Sequence, residues 1–378
     1  MRTNGFFEFL TYFVDLTDPR KDRGRNHCLV EMVALALCGT ICGADSWADI
    51  ERFAKAHLTW FRQFLELKNG VPSHDTFGRV FRRLDTDEFL RCITTWIREL
   101  NFELEKSCVA IDGKTLRGSH DVAVDQKPLH VVSAWANKVK VCLGQVSVDH
   151  KSNEIPAVRE LLDLLELEGA VVTMDAMHCQ KKTLRMIRAR GADYLVQVKD
   201  NQPKLHARLR DEFDRLGETN FTAKRLRQHS KAERNRGRRE TRTCMVYPAP
   251  ADVKQLWPDV QTIGIMHRAR ELKDGTESSE STVFISSLAP KVREHVKYLR
   301  EHWSIENELH HTLDVTFTED ASRIRKDNGP EISSAFRRLS LSILKQDTTI
   351  NDNVRGKRLT AGWDLDKLHG MITAFQAA

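Results

Sequence analysis

Asp112 and Asp175 occupy matching positions in the chain. Asp112 ends the apolar run Cys108 to Ile111 and precedes Gly113 and Lys114, while Asp175 follows Val171, Val172, Thr173 and Met174. Each is a carboxylate near the C-terminal end of a strand that reads as buried, where open α/β sheets place their ligands. A carboxylate there is costly unless it is solvated or paired with a cation. Taken singly, each aspartate reads as a turn or helix-capping residue; as a pair at one sheet edge they suit a divalent metal. Glu306 is a possible third member. It lies in HWSIENELHH, with Trp303, Leu309 and Leu313 at core-like spacing and His302 and His310 four residues to either side on its own face. Its plainer reading is a salt-bridged surface glutamate. Three carboxylates are hard oxygen ligands, suited to Mg²⁺ or Mn²⁺ rather than zinc or copper. Two such ions about 3.5 to 4 Å apart activate an attacking oxygen and stabilise the leaving oxygen in phosphodiester cleavage. A zinc site on His302 and His310 is the weaker alternative, because they stand two helical turns apart and no HExxH is present.

Chemistry on phosphodiesters needs a polyanion-binding surface. Residues 224–242, KRLRQHSKAERNRGRRETR, hold nine Lys or Arg against two Glu, a local charge of +7 in a chain whose net charge is +6. Lys and Arg neutralise phosphates without reading sequence. A solvated loop is the plain alternative for such a run. A second basic cluster, Arg79, Arg82 and Arg83, falls at i, i+3, i+4 spacing near the end of a short helix. Short helices ending in a basic face suit a small DNA-docking domain; a solvated charged face reads equally well.

The elements that must position these residues change character along the chain. Residues 1 to about 100 read as helices. Asn26 precedes the apolar helix HCLVEMVALALCGTICG, Ser46 caps WADIERFAKAHL, and Ser73 caps DTFGRVFRRLD. From about residue 105, SCVAIDGKTLRGS, HVVSAWANK, KVCLGQVSVD, GAVVTMDAMHC and ADYLVQVKDNQ are short β-branched runs bounded by turn signals. The helical stretch NEIPAVRELLDLLELEG lies between the third and fourth of them, so an α/β domain with a mixed sheet is expected. After Pro203 the basic stretch, expected as a loop, leads into three further strands, TRTCMVY, VQTIGIMHRAR and STVFISSL. A long helix carrying Glu306 begins near Pro290, another starts at Pro330, and the stretch from about 346 reads as a polar tail.

Length and composition bound the possibilities. The chain has 378 residues, 40% hydrophobic and 30% charged, with 59 Lys plus Arg against 53 Asp plus Glu. That is globular composition and room for two or three domains at roughly 100–200 residues each. The longest apolar candidate, Cys28 to Gly43, is too short for a membrane span and carries Glu31. The N-terminal residues lack a secretory pattern, so a cytoplasmic protein is expected. The eight cysteines are scattered with no recurring CxxC pair; Cys38 and Cys42 share a helix face but have no second ligand pair, and reduced core thiols are expected.

The segments AIDGKTLRGS, HVVSAW, KSNEIPAV, VVTMDAMHCQ, DYLVQVKDNQP and HWSIENELHHTLDVTFTEDASRIR, together with the N-terminal NGVPSHDTFGRVF, closely resemble the H-repeat-associated insertion-sequence transposases of the DDE superfamily. The resemblance covers nearly the whole chain. It implies an α/β fold: an RNase H-like mixed-sheet catalytic domain (101–345) with a β-rich basic insertion at about 204–289, preceded by a small helical DNA-binding domain (1–100) and followed by a tail (346–378). It places the acidic triad, catalytic and metal-binding with two ions of Mg²⁺ or Mn²⁺, on Asp112, Asp175 and Glu306. Candidate DNA contacts are Lys114, Lys199, Asn201, Arg236, Arg238 and Arg242, with Arg79, Arg82 and Arg83 helping to find the ends. The partners implied are double-stranded DNA, both element ends and target, and a second copy of the chain in the end-paired complex; no membrane is involved. The location implied is the cytoplasm, at the nucleoid when DNA-bound. Related transposases carry Arg four residues before the glutamate and Lys seven after; here those positions hold His302 and Leu313.

The expected activity is therefore metal-dependent strand cleavage at element ends followed by transfer of the 3′-hydroxyl. A catalytically inactive, element-derived DNA-binding protein is the alternative. A tyrosine-recombinase mechanism using His267, Arg270 and Tyr298 finds only the weak pattern HxxR, and neither Ser119 nor Cys179 sits in a nucleophile elbow.

Overall fold

The computed structural model describes residues 5–121, 127–148, 153–235, 238–271 and 276–377. Five helices come first: α1 (Leu29–Ile41), α2 (Trp47–Ala56), α3 (Leu58–Phe61), α4 (His74–Phe81) and α5 (Thr86–Glu99). Their starts are fixed by caps. The Ser46 side chain accepts from the Asp49 amide while the Asp49 carboxylate accepts from the Ser46 amide, a reciprocal box that satisfies two orphan donors. Ser73 accepts from the Thr76 amide, and Asp85 from that of Glu88.

Strands follow: β1 (Cys108–Leu116), β2 (Leu129–Ala136) and β3 (Val141–Ser147), then α6 (Glu154–Leu164), β4 (Val171–Met174), α7 (Lys181–Ala189), β5 (Asp193–Val198) and α8 (Pro203–Glu218). Next come β6 (Arg227–Asn235), β7 (Arg238–Pro248), α9 (Ala251–Leu256), β8 (Thr262–Glu271) and β9 (Glu277–Ser286). The chain ends in α10 (Val292–His302), a π-helical turn (Ile305–His310), α11 (His311–Val315), α12 (Gly329–Gln346), α13 (Val354–Trp363) and α14 (Leu365–Gln376).

The strands form one mixed sheet in the order β3-β2-β1-β4-β5-β9-β8-β7-β6. β1, β4 and β5 are parallel, while β2–β3 and every pair from β5–β9 outward are antiparallel. The order β3-β2-β1-β4-β5, with its parallel half joined through helices, is the RNase H-like arrangement expected. β4 is buried throughout, as the strand Val171–Met174 covered on both faces must be.

Two expectations change. The basic run 224–242 is not a loop: most of it builds β6 and the start of β7, and these strands with β8 and β9 extend the main sheet from β5. The residues from 346 are not a tail. They form α13 and α14, with Leu368, Met371, Ile372 and Phe375 in the core.

The chain divides into two compact units. One comprises residues 1–103, 113–165 and 305–378. Its centre is α1, buried along nearly its whole length, and α12, which buries Arg337 and Arg338 among Ile332, Leu339 and Ile343. The other comprises residues 104–112 and 166–304. There α10 lays Tyr298, Val292 and Val296 against Cys108, Val171, Leu195, Cys244 and Phe284. Among the described residues no helix is long and apolar enough to cross a membrane, and the eight cysteines are unpaired.

Candidate catalytic site

β1 and β4 run in parallel register with Ile111 opposite Met174, so the next residues, Asp112 in the middle of β1 and Asp175 just past β4, stand at the same level, Asp112 inside its strand rather than at the end expected. Asp112 is half-buried, and the Asp175 side chain is 57% exposed. His302, at the end of α10, reaches this edge. Its Nδ1 lies 3.0 Å from Thr173 Oγ1 and its Nε2 3.5 Å from Asp175 Oδ1. Hydrogen bonding to His302 holds the Asp175 carboxyl below its ordinary range against the opposing effect of burial, and the charges of His302, Lys199 and His178 add to it. Asp175 is thus an ionised, acceptor-only oxygen donor at neutral pH.

The loop after β5 fastens the turn that follows Asp175. Asn201 Nδ2 donates to the Ala176 carbonyl (2.8 Å), and Gln202 Nε2 to that of Cys179 (2.9 Å). Lys199 is exposed directly beyond β5, whose C-terminal end faces the same way as that of β4. Next to Asp112 in sequence, Gly113 leaves room for a neighbour: a Cβ there would stand 2.5 Å from His130 Nε2 and 2.7 Å from the Glu154 carboxylate. His130 bridges Thr115 Oγ1 (2.7 Å) and Glu154 Oε1 (2.8 Å).

Glu306 follows His302 by four residues and is exposed on the π turn, between the buried anchors Ile305 and Leu309. Single π turns inside helices arise where a residue has been inserted, and they concentrate at functional positions. Glu308 on the same turn is held by Lys140 (2.8 Å) and Lys345 (3.3 Å). The two aspartates are thus adjacent at the backbone. Among the described residues, however, no three His, Cys, Asp or Glu side chains stand close enough together to hold a metal ion. The donor chemistry fits a hard divalent cation: carboxylate oxygens, with Asp175 ionised and open to solvent. It does not fit zinc, since His302 is engaged by Thr173 and Asp175 and, among the described residues, no group of three His, Cys, Asp or Glu surrounds it.

The expected DNA contacts divide. Arg79 and Arg83 are exposed on and just after α4, whereas Arg82 is half-buried and 3.6 Å from Asp327. Arg242 is bonded to Glu240 at 2.6 Å. Arg238 starts β7, and Arg236 lies outside the described residues. Lys114 is corrected: it is 8% exposed, with Nζ 2.8 Å from Asp314 and 3.0 Å from Asp320, and so presents no cation at the surface.

Residues not singled out from the sequence complete the basic face. The Glu240 carboxylate, 9% exposed, also lies 3.5 Å from Arg268 and 3.5 Å from Arg270. Glu233 gathers Lys231, Arg242 and Arg300. Arg268 stacks on the exposed Trp303 ring with its guanidinium carbon 5.6 Å from the centroid. The period-two alternation Arg268, Arg270 within VQTIGIMHRAR was the signal available.

Residues 10–97 match the family described as DDE_Tnp_1-associated, and residues 103–342 the family described as Transposase DDE domain. The chain is 36% identical over 354 residues to "Putative transposase YncI" of Escherichia coli O157:H7, covering 92% of this chain and 90% of that protein. It is 33% identical over 363 residues to "H repeat-associated putative transposase YhhI" of Escherichia coli K12, covering 94% and 95%. Among solved structures it is similar to a chain of the piggyBac transposase synaptic complex with hairpin DNA, at 9% identity and a TM-score of 0.44, over 99% of this chain and 79% of the other.

Proposed function

The chain belongs to the DDE transposase family, in its H-repeat-associated group, and on that premise we propose that it cuts DNA at the ends of an insertion sequence and joins the freed 3′-hydroxyl to target DNA. The observation that carries this reading is the pair of aspartates at one level on the adjacent parallel strands β1 and β4, with His302 hydrogen-bonded to the Asp175 carboxylate.

Asp112 and Asp175 would hold the divalent metal with Glu306 as the third carboxylate. Mg²⁺ or Mn²⁺ held there in a pair would supply Lewis acidity to the attacking and leaving oxygens of the phosphodiester. His302 orients the Asp175 carboxylate. Asn201 and Gln202 keep its turn from relaxing, so the oxygen donor is set before substrate arrives. Lys199, Arg242 and the exposed Arg79 and Arg83 are assigned to phosphates, as are Arg236 and Arg238, with Arg82 and Asn201 supporting the surfaces on which those cations stand. Because two element ends must be brought together, the working form is assigned as a homodimer on DNA, in the cytoplasm at the nucleoid.

Cleavage of DNA bearing the flanking element's ends, in Mg²⁺ or Mn²⁺ against EDTA, tests the reading with Asp112→Ala and Glu306→Ala. Cuts that need metal and vanish in both variants, with DNA binding kept, are expected. Specific binding by a folded wild-type chain without any cut would instead identify an inactive, element-derived DNA-binding protein. Cutting that persists in EDTA and in both variants would remove the carboxylates from the chemistry.

A further inference from the structure

Lys114 stands two residues after Asp112 on β1, and Asp314 eight residues after Glu306 on α11. The lysine Nζ meets Asp314 Oδ1 at 2.8 Å, Asp320 Oδ1 at 3.0 Å and Glu319 Oε2 at 3.9 Å. Glu319 is fully buried and in turn takes Arg338 at 3.0 Å and Arg337 at 3.8 Å. Arg338 also donates to Ser133 Oγ on β2 (3.0 Å). Three cations and three carboxylates thus close on one another, and Lys114 is the member that comes from β1.

The backbone repeats the same attachment. A Cβ at Gly118 would stand 2.4 Å from the Ser322 carbonyl oxygen and 2.6 Å from that of Asp320, so the turn after β1 lies directly on the turn after α11. The Arg117 amide donates to Asp320 Oδ1 (3.2 Å), and Arg325 Nε to the Gly118 carbonyl (2.9 Å). A surface lysine meant for phosphate would need none of this. A lysine meant to fix where a helix sits on a strand needs all of it, since a buried cation flanked by several carboxylates has only one low-energy seat.

We propose that Lys114 is a positioning residue: it locks the helical segment that carries Glu306 onto the end of β1, and thereby sets the third carboxylate for the reaction. The inference rests on the transposase reading for what Glu306 does, but the attachment itself stands apart from it.

The test compares Lys114→Met, Lys114→Arg and Asp314→Asn in the full chain. Asp314→Asn leaves Lys114 paired with Asp320 and Glu319, so it reports even where Lys114→Met fails to fold. Three quantities are measured: affinity for end DNA against salt, the cleavage rate at saturating DNA, and the Mn²⁺ concentration giving half-maximal cleavage. Expected is a drop of roughly a hundredfold in rate, the scale set by a displacement of about 1 Å. A raised Mn²⁺ requirement should accompany it, with unchanged affinity and salt slope and partial rescue by Lys114→Arg. If Lys114→Met instead weakens binding and lowers the salt slope by about 0.9, one phosphate's worth, while Asp314→Asn cuts like wild type, Lys114 is a DNA contact and the proposal fails. Amide hydrogen exchange over residues 305–315 separates the two layers. Faster exchange in Lys114→Met, in a chain whose wild type cuts nothing, would keep the attachment and discard the transposase reading. Unchanged exchange would discard the attachment.

Discussion

His302 holds a carboxylate that needs no help to ionise. Asp175 lies below its ordinary range, and an aspartate in the ordinary range is already ionised at neutral pH. His302→Ala should therefore cost orientation rather than charge: the cleavage rate falls by a similar factor at every pH from about 6 to 9. A pH–rate profile whose acid limb moved into that range would contradict this. Glu331 behaves in the opposite way. At the start of α12 it is buried, and desolvation raises its pKa to about 7, with Asp87 and Glu160 adding and Ser147 opposing. The folded state then holds a proton that the unfolded chain has released above about 4.5. Stability is lost as pH rises from about 4.5 to about 7, by roughly 3 kcal/mol in total, and stays level beyond. Glu331→Gln should match wild type in urea at about pH 4.5 and exceed it by that order at about pH 8. Of these residues only the aspartates were legible in the sequence, because an apolar run ending in Asp is a local pattern. The partners of Lys114 lie some 200 residues downstream, and no spacing rule reaches that far.

The π turn shows what helical periodicity conceals. HWSIENELHH carries apolar residues at spacings that α and π windings share, so the helix was legible and its extra residue was not. Deleting Asn307 should return the segment to α-winding. Helix content by circular dichroism would hold, while cleavage is lost through the displaced Glu306. Cleavage surviving the deletion would mean the winding is incidental. β6 and the first residues of β7 were hidden for another reason. There polar residues alternate with polar ones, and without an apolar face the period of two leaves no trace in the sequence, whereas TRTCMVY in the rest of β7 was legible. Inside the β6–β7 hairpin Glu240 is the shared counterion of Arg242, Arg268 and Arg270. Glu240→Gln leaves these cations, each about a fifth to a third exposed, facing one another, so the chain alone should lose stability in urea. The same change should tighten binding to duplex DNA, and added DNA should raise its melting temperature more than that of wild type. Weaker binding would show that Glu240 shapes the surface rather than competing with phosphate.

At the scale of the whole chain, the first hundred residues do not make a unit by themselves. α1 packs on α12 and α13, Trp96 lies edge-on to Phe375, and Arg358 of α13 donates to the Thr40 carbonyl and pairs with Asp45. A fragment of residues 1–100 should show little helix by circular dichroism and poor dispersion by NMR; a cooperatively folded fragment would overturn this. Arg358 also stacks on Phe317, 4.1 Å from the ring centroid, so α13 reaches the segment after α11 as well. Little in the chain's local pattern signals this closure, because the polar stretch 347–358 masks the apolar spacing Leu368, Met371, Ile372, Phe375 that follows. For DNA, if six to ten phosphates are neutralised, affinity should fall about 10³ to 10⁵-fold between roughly 50 and 200 mM salt. A flat response would mean that the basic hairpin contributes no ionic contacts.

The Phe9 amide donates to the side chain of Gln376, 367 residues further on, and the Phe9 ring stacks on Trp96 at 4.9 Å. On a ribosome adding about 5–20 residues per second, roughly 20 to 70 s separate the two ends of that bond. For that time the Phe9 amide lacks its Gln376 partner and Trp96 lacks Phe375, although the Phe9 ring can already meet Trp96. Until α14 has been made, the core lacks Leu368, Met371, Ile372 and Phe375, and a nascent chain with that apolar surface open is a client for holding chaperones.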